Sequence, residues 1–390
     1  MQPADLEAHL LDHLDDPEAW AVYADWLEGQ GTPRGKLAGV QRQLAATPTD
    51  ALREAEATLL SEHPELAPRR MVAEIARWRA DEPDRDRVYQ RVEWQDLEPR
   101  LDWSHGHIVG ARLAKADPED ESIELVDLVR EVLHHDAARL LQRLVIGPLG
   151  VYDEYDYTGV VAEIANARLP ALRELVVAEY SSGHSELSWG HLGNLTQVWK
   201  VTPRLERAVV RAGHFELGRL IVPRVRSFRV ETGGLGSANL ESILTADWPA
   251  LEALEIWFGD EGYGAGGTID HVRRVLAFDR MPNVVELGLK NAEFTDAIVG
   301  AVVAAPTRTR LRRLDLSLGT LTSEGATALA EAGAEAFPAL RTLSVAQSYV
   351  GEAALEALRD AFPDVAIDAD GQEQPDEYDG EQHYYVSVSE

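Results

Sequence analysis

Pro249-Ala-Leu-Glu-Ala-Leu-Glu-Ile256 is the stretch on which the reading of the fold turns. Its apolar residues Leu251, Leu254 and Ile256 are spaced by three and then by two. The pattern Pro-x-Φ-x-x-Φ-x-Φ, with Φ apolar, returns along the chain. It reads Pro170-Ala-Leu-Arg-Glu-Leu-Val-Val177, Pro203-Arg-Leu-Glu-Arg-Ala-Val-Val210 and Pro223-Arg-Val-Arg-Ser-Phe-Arg-Val230. It reads again as Pro282-Asn-Val-Val-Glu-Leu-Gly-Leu289 and Pro338-Ala-Leu-Arg-Thr-Leu-Ser-Val345. Leu140-Leu-Gln-Arg-Leu-Val-Ile146 and Leu311-Arg-Arg-Leu-Asp-Leu316 carry it without proline. The central apolar residue falls at 144, 175, 208, 228, 254, 287, 314 and 343, with spacings of 31, 33, 20, 26, 33, 27 and 29.

Those spacings fit one strand and one helix per repeat. The last two Φ residues lie two apart on a strand and share its inward face. The first Φ anchors the turn that enters the strand. Proline fits there because it precedes the hydrogen-bonded ladder and need donate nothing to it. Helical stretches with an apolar face are expected between strands, at 269–278, 297–305, 323–334 and 352–361. The last strand, Pro363-Asp-Val-Ala-Ile367, is degenerate. The expected fold class is α/β, a leucine-rich repeat solenoid with parallel strands on the concave side and helices outside, preceded by a small helical domain.

Upstream, residues 3–14 place Leu6, Leu10, Leu11 and Leu14 on one side of a helix. Asp16-Pro17-Glu18 starts a second helix, with Asp as N-cap and Pro at the first helical position. Trp20, Tyr23, Ala24 and Leu27 form its apolar face, and Gly29 ends it. Thr32-Pro33 caps a third, running to about Ala46. The polar stretch 50–88 reads as helical, with Arg69-Arg70 and Trp78 as landmarks. Leu101-Asp-Trp-Ser-His-Gly-His-Ile-Val-Gly-Ala-Arg-Leu113 reads as a strand or hairpin at the sheet edge. The expected organisation is a helical domain at 1–48, a helical linker or cap at 49–100, the solenoid at 101–367 and an acidic tail at 368–390.

The segment Asp16-Pro-Glu-Ala-Trp-Ala-Val-Tyr-Ala-Asp-Trp-Leu-Glu-Gly-Gln-Gly-Thr-Pro-Arg-Gly-Lys-Leu37 resembles a bacterial repeat-companion domain found beside repeat arrays in myxobacteria and planctomycetes. Lys36 departs from that family, which usually has an acid there, so any role for this position is in doubt. The family brings no catalytic residues. A second resemblance spans roughly 140–390. It rests on Leu251-Glu-Ala-Leu-Glu-Ile-Trp-Phe-Gly-Asp260, Leu314-Asp-Leu-Ser-Leu-Gly-Thr-Leu-Thr-Ser-Glu-Gly325 and the ending Tyr385-Val-Ser-Val-Ser-Glu390. These are similar to a bacterial leucine-rich repeat family encoded beside radical-SAM-type, ATP-grasp and phosphatase/sulfatase-like proteins. The resemblance implies partners rather than a reaction.

Composition narrows the function classes. The 390 residues hold 37 Lys plus Arg against 67 Asp plus Glu, a net charge of −30. Such a chain repels phosphate backbones and anionic membrane surfaces, so neither nucleic acid nor membrane is expected as a partner. The absence of cysteine excludes disulfides, thiolate nucleophiles and Cys-ligated zinc or iron–sulfur sites. No signal-like start or 18-residue apolar window is present, which makes a cytoplasmic protein the expectation. Residues 1–33 hold eight acids and residues 361–390 nine, with no Lys or Arg in either stretch. The two acidic ends suit a basic partner, or serve as solubilising skins.

Patterns for catalysis are missing: no G-x-S-x-G, H-E-x-x-H or Walker A motif occurs. Gly259-Asp-Glu-Gly-Tyr-Gly-Ala-Gly-Gly-Thr268 follows a strand and precedes a helix, as an anion-binding loop would. It lacks a lysine and opens with two acids, so a long connecting loop is the favoured reading. His9 and His13, with Asp12 and Asp16, could share a metal on one helix face. His105 and His107 alternate onto one strand face but lack a third ligand. Asp153, Glu154 and Asp156 with Tyr152, Tyr155 and Tyr157 form an acidic-aromatic loop that calcium or a basic peptide could use. Each has a plainer reading as ordinary surface. No cofactor or metal is expected, and no enzyme.

The outward columns of the strands carry more. The residue between the last two Φ positions reads Val145, Val176, Val209, Arg229, Glu255, Gly288, Asp315, Ser344. The residue after the last Φ reads Gly147, Ala178, Arg211, Glu231, Trp257, Lys290, Ser317, Ala346. Arg211, Arg229, Glu231, Glu255, Trp257, Lys290 and Asp315 therefore cluster, mixed charge around one exposed Trp, as a protein or peptide anchor would. The competing reading is a set of cross-strand ion pairs that only solubilises the sheet. The tail reads as acidic and flexible from Asp368 to Glu381. It then changes to His383-Tyr384-Tyr385-Val-Ser-Val-Ser-Glu390, which could dock as a strand or be presented to a modifying enzyme. The expected function is a non-catalytic scaffold or adaptor that binds a protein or peptide on the concave face. The alternative is a substrate whose Tyr-rich tail is modified by the radical-SAM-type and ATP-grasp neighbours, the solenoid being its recognition body.

Overall fold

The structure is a computed structural model that describes residues 3–80, 98–117, 120, 122–149, 155–180 and 186–389. It is an α/β protein whose chain divides into two compact units. One comprises residues 1–185 and 197–205, the other 186–196 and 206–390. The first expected boundaries, at 48 and 100, therefore both fall inside one unit.

The first unit opens with three helices, Pro3–Asp12, Pro17–Gly29 and Pro33–Ala46. The capping signals act as the sequence implies. Asp16 accepts the Glu18 amide at 2.8 Å, Thr32 accepts that of Gly35 at 3.2 Å, and each helix has proline in its first turn. Leu6, Leu10, Leu14, Trp20, Tyr23, Ala24 and Leu27 are buried together, and the Trp20 indole donates to the Leu14 carbonyl. Two further helices follow, Asp50–Glu62 and Arg69–Ala80; the end of the expected 50–88 helical stretch lies outside the described residues.

Strands β1 (Arg100–Ser104) and β2 (His107–Leu113) form an antiparallel hairpin. His105 and Gly106 are its two-residue turn, both with positive φ, 49° and 77°. That is the turn geometry whose twist matches paired strands. It corrects the expectation that His105 and His107 share a strand face. His105 stacks on Trp20, whereas His107 is buried against Tyr23. Parallel pairing then continues from β2 to β3 (Arg143–Ile146), and from β3, past the short β4 (Tyr155–Asp156), to β5 (Glu174–Val177).

In the second unit β6 (Gly190–Asn194) pairs in parallel with β8 (His214–Glu216). The main sheet runs β7 (Arg207–Arg211), β9 (Ser227–Glu231), β10 (Ala253–Gly259), β11 (Glu286–Ala292), β12 (Arg313–Asp315), β13 (Thr342–Ser344) and β14 (Ala366–Asp368), every neighbouring pair parallel. Its register pairs Ala208, Phe228, Leu254, Leu287, Leu314, Leu343 and Ile367 in succession. The column aligned in the sequence is thus the column of the sheet. All but Ile367 are buried, as are the residues two further on, Val210, Val230, Ile256, Leu289, Leu316 and Val345. Each of these side chains larger than alanine contributes about 1.5–3 kcal/mol by leaving water. Helices Ser237–Thr245, Ile269–Ala277, Thr295–Ala304, Ser323–Ala336 and Glu352–Ala361 alternate with the strands.

The residue after the proline position ties neighbouring strand–helix segments together within each unit. Arg204 donates to the Pro170 carbonyl at 3.1 Å, Asn283 to that of Pro249 at 2.7 Å, and Arg310 to that of Pro282. These carbonyls lie before their strands, outside the ladder, and need a donor. The tail departs from its expected flexibility. Strands β15 (Asp376–Tyr378) and β16 (Glu381–His383) form a hairpin around Asp379-Gly380, both with positive φ.

Candidate functional site

Strand alternation sends one set of side chains of β7, β9, β10, β11 and β12 away from the buried columns. All seven residues singled out in the sequence meet there. Arg211 pairs with Glu231 at 2.7 Å, and Arg229 with Glu231 and with Glu255, each at 3.2 Å. Lys290 lies 3.5 Å from Glu255 and 3.7 Å from Asp315. The Trp257 indole donates to Glu255 at 2.8 Å, and Lys290 sits 5.2 Å from the Trp257 ring centroid. Trp257 is therefore half-buried and engaged, not the exposed anchor that its column suggested. Strand order causes this, since β10 and β11 place Lys290 directly beside it.

Arg313 joins the network through Asp315 at 3.1 Å. It precedes the central Φ of its strand, so it too points outward; that column held the missing signal. Ser317 donates to Asp315 from both its hydroxyl and its amide. Burial pushes the Asp315 carboxyl up, but Lys290, Ser317 and Arg313 outweigh it and hold the group below the usual carboxylate range. Glu231 and Asp315 are buried beneath, whereas Arg229 and Arg313 keep 42% and 53% of their side chains exposed, so the cations face outward. Between them lies a notch of about 100 Å³ lined by Arg229, Glu255, Glu286, Gly288, Arg313 and Asp315. Gly288 makes the space, because a Cβ there would stand 2.9 Å from Glu255 Cγ.

The other candidates resolve differently. In the glycine-rich loop, Asp260 accepts the Gly262 amide, and Glu293 accepts that of Glu261 at 2.9 Å. These two amides are met by carboxylates, and those of Tyr263, Gly264, Ala265 and Gly266 by main-chain carbonyls, which opposes an anion site. His9 and His13 lie side by side, and His191 stacks on His214, but no group of three metal-ligating side chains forms among the described residues. Tyr155 and Tyr157 are core residues, and the Tyr157 hydroxyl donates to the Gly147 carbonyl. Asp156 accepts the amide of Thr158, the first residue of the helix Thr158–Asn166, while Tyr152, Asp153 and Glu154 lie outside the described residues.

Much of the N-terminal acidity is used within its own unit. Glu7 pairs with Arg139, Asp12 with Arg204, Asp15 with Arg173, and Asp25 and Glu28 with Arg42. The C-terminal segment docks, though not as a strand. Tyr384 packs edge-on against Tyr349, Val386 is buried, and the 55% exposed Tyr385 points outward. His383 ends β16 against Tyr378.

No protein-family model matches the chain, and no curated protein matches it. A solved structure of a protein from Bacteroides fragilis is similar in fold, with a TM-score of 0.63 and 24% identity. The match covers 73% of this chain and 78% of that one. Among the described residues no helix is long and apolar enough to cross a membrane.

Proposed function

We propose that this chain is a leucine-rich repeat solenoid that acts as a non-catalytic scaffold, binding a protein or peptide partner on the outward face of the strands in its second unit. The repeat reading is supported by the unbroken register of the central apolar column and by the recurring donor to the proline carbonyl. The binding reading is carried by the ion network around the Gly288 notch. Its charges are already held in place, so a partner meets them with little side-chain ordering left to do. Carboxylates lie beneath and half-exposed guanidiniums above, which suits a partner presenting acidic side chains. The acidic ends would add attraction only for a partner that is basic elsewhere.

The test is capture of partners from host extract by the whole chain and by the Trp257→Ala, Arg229→Glu double variant. The reading expects capture to fall about tenfold or more, as for loss of an interface centre, with a helix-side Arg273→Glu control unchanged. Equal capture by all three would reject this face as the binding surface. The second reading, a substrate carrying a modified tail, draws on the exposed ring of Tyr385. It expects a mass increment on residues 383–390 in protein from the native host, whereas the scaffold reading expects the unmodified mass.

A further inference from the structure

The C-terminal segment is held by groups that read its main chain. Asn291, at the end of β11, donates from Nδ2 to the Val388 carbonyl and accepts the Val388 amide at Oδ1 over 3.0 Å. The Tyr349 hydroxyl does the same at Tyr385, accepting its amide at 3.0 Å and donating to its carbonyl at 2.9 Å. Between these two clamps the Ser387 amide donates to the Leu318 carbonyl at 2.8 Å, and the Ser387 hydroxyl to that of Gln347 at 3.2 Å. Beyond them, the Ser389 carbonyl lies over Gly233, where a Cβ would approach it to 2.3 Å.

Asn291 lies near the end of β11, Leu318 and Gln347 lie three residues past the ends of β12 and β13, and all three have left-handed φ, 54°, 69° and 49°. Three non-glycine residues in that conformation are costly and call for a compensating role. Here they turn the strand ends into a row of groups met by one crossing segment. Two side chains that each grip both main-chain groups of a residue three apart amount to a peptide clamp, nearly indifferent to side-chain identity. Selection is left to the buried Val386 and to Tyr384 against Tyr349.

We propose that this rim is a peptide-binding site occupied in cis by the chain's own C-terminus, and that its partner is an extended peptide with the pattern of Tyr384–Val388, aromatic, any residue, Val, Ser, Val. The partner displaces the tail. Val386 is the one buried side chain between Tyr384 and Ser389, so the cis complex rests mainly on hydrogen bonds and on tethering. The site is separate from the outward network, and the proposal stands whether or not that face binds anything.

The probe is a fluorescein-labelled Tyr-Tyr-Val-Ser-Val-Ser-Glu peptide, followed by anisotropy. The chain ending at His383 is expected to bind it at least about tenfold more tightly than the full chain, whose own tail competes. Asn291→Ala in the shortened chain is expected to weaken binding about tenfold, for two lost hydrogen bonds. If the shortened chain does not fold, full-length Val386→Asp, which frees the tail, is expected to gain binding in its place. No binding by either tail-released form, or equal binding by the full chain, overturns the proposal. Failure of both forms to fold would also overturn it, making the tail a structural staple.

Discussion

His107 shows how one residue couples the cap to the sheet. It is buried in the first unit, with Nδ1 3.3 Å from the Ala137 carbonyl and Tyr23 against its ring. Burial, together with the nearby Arg34 and Arg139, pushes its pKa down to about 3. The unfolded chain binds that proton at about 6.5. Its contribution to stability is therefore complete above about pH 6.5 and is lost as the pH falls towards about 3, by up to about 1.4 kcal/mol per unit. Urea unfolding from pH 7.5 to 4.5 should show this slope, and His107→Gln should flatten it. The same scale shows where sequence reading stops. Alternation places Trp257 outward, but it cannot tell that Lys290 and Glu255 engage the indole. Arg313 lies in the column before the central Φ, outside the two columns in which the outward cluster is legible.

At the scale of elements, the turns explain both successes and misses. The main strands were legible because Φ-x-x-Φ-x-Φ is long enough to fix inward direction and register together. β6 and β8 were not, since Gly190-His-Leu-Gly-Asn194 and His214-Phe-Glu216 carry little apolar alternation. The β15–β16 hairpin was hidden by acidic composition, although Asp379-Gly380 is a hairpin signal. The β1–β2 turn is the sharper test. Gly106 has φ 77°, and a Cβ there would stand 2.9 Å from the Arg34 carbonyl. Its amide also donates to Gln41 at 2.7 Å. Gly106→Ala should cost about 1–3 kcal/mol, read as a lower urea midpoint with an unchanged slope.

At the scale of the molecule, charge is arranged by use. A net of −30 coexists with an outward patch where Arg211, Arg229, Lys290 and Arg313 meet three carboxylates. Several N-terminal acids join helices to arginines of the same unit. The C-terminal segment, which its sequence offers as a docking strand or as a peptide presented to an enzyme, runs across the ends of strands without pairing as one. In each case composition gave the sign of the charge and the apolar pattern, while the partner depended on contacts between residues up to 192 apart in sequence.

The proposed scaffold is tested most directly by where a partner touches it. A photo-crosslinking residue in place of Ala253, on the outward face beside the notch, should trap partner in the native host. The same residue in place of Arg273, on the exposed side of the helix Ile269–Ala277, should trap little. Crosslinks concentrated at 273, or absent at 253 while partner still co-purifies, would contradict the claim that this face is where the protein binds.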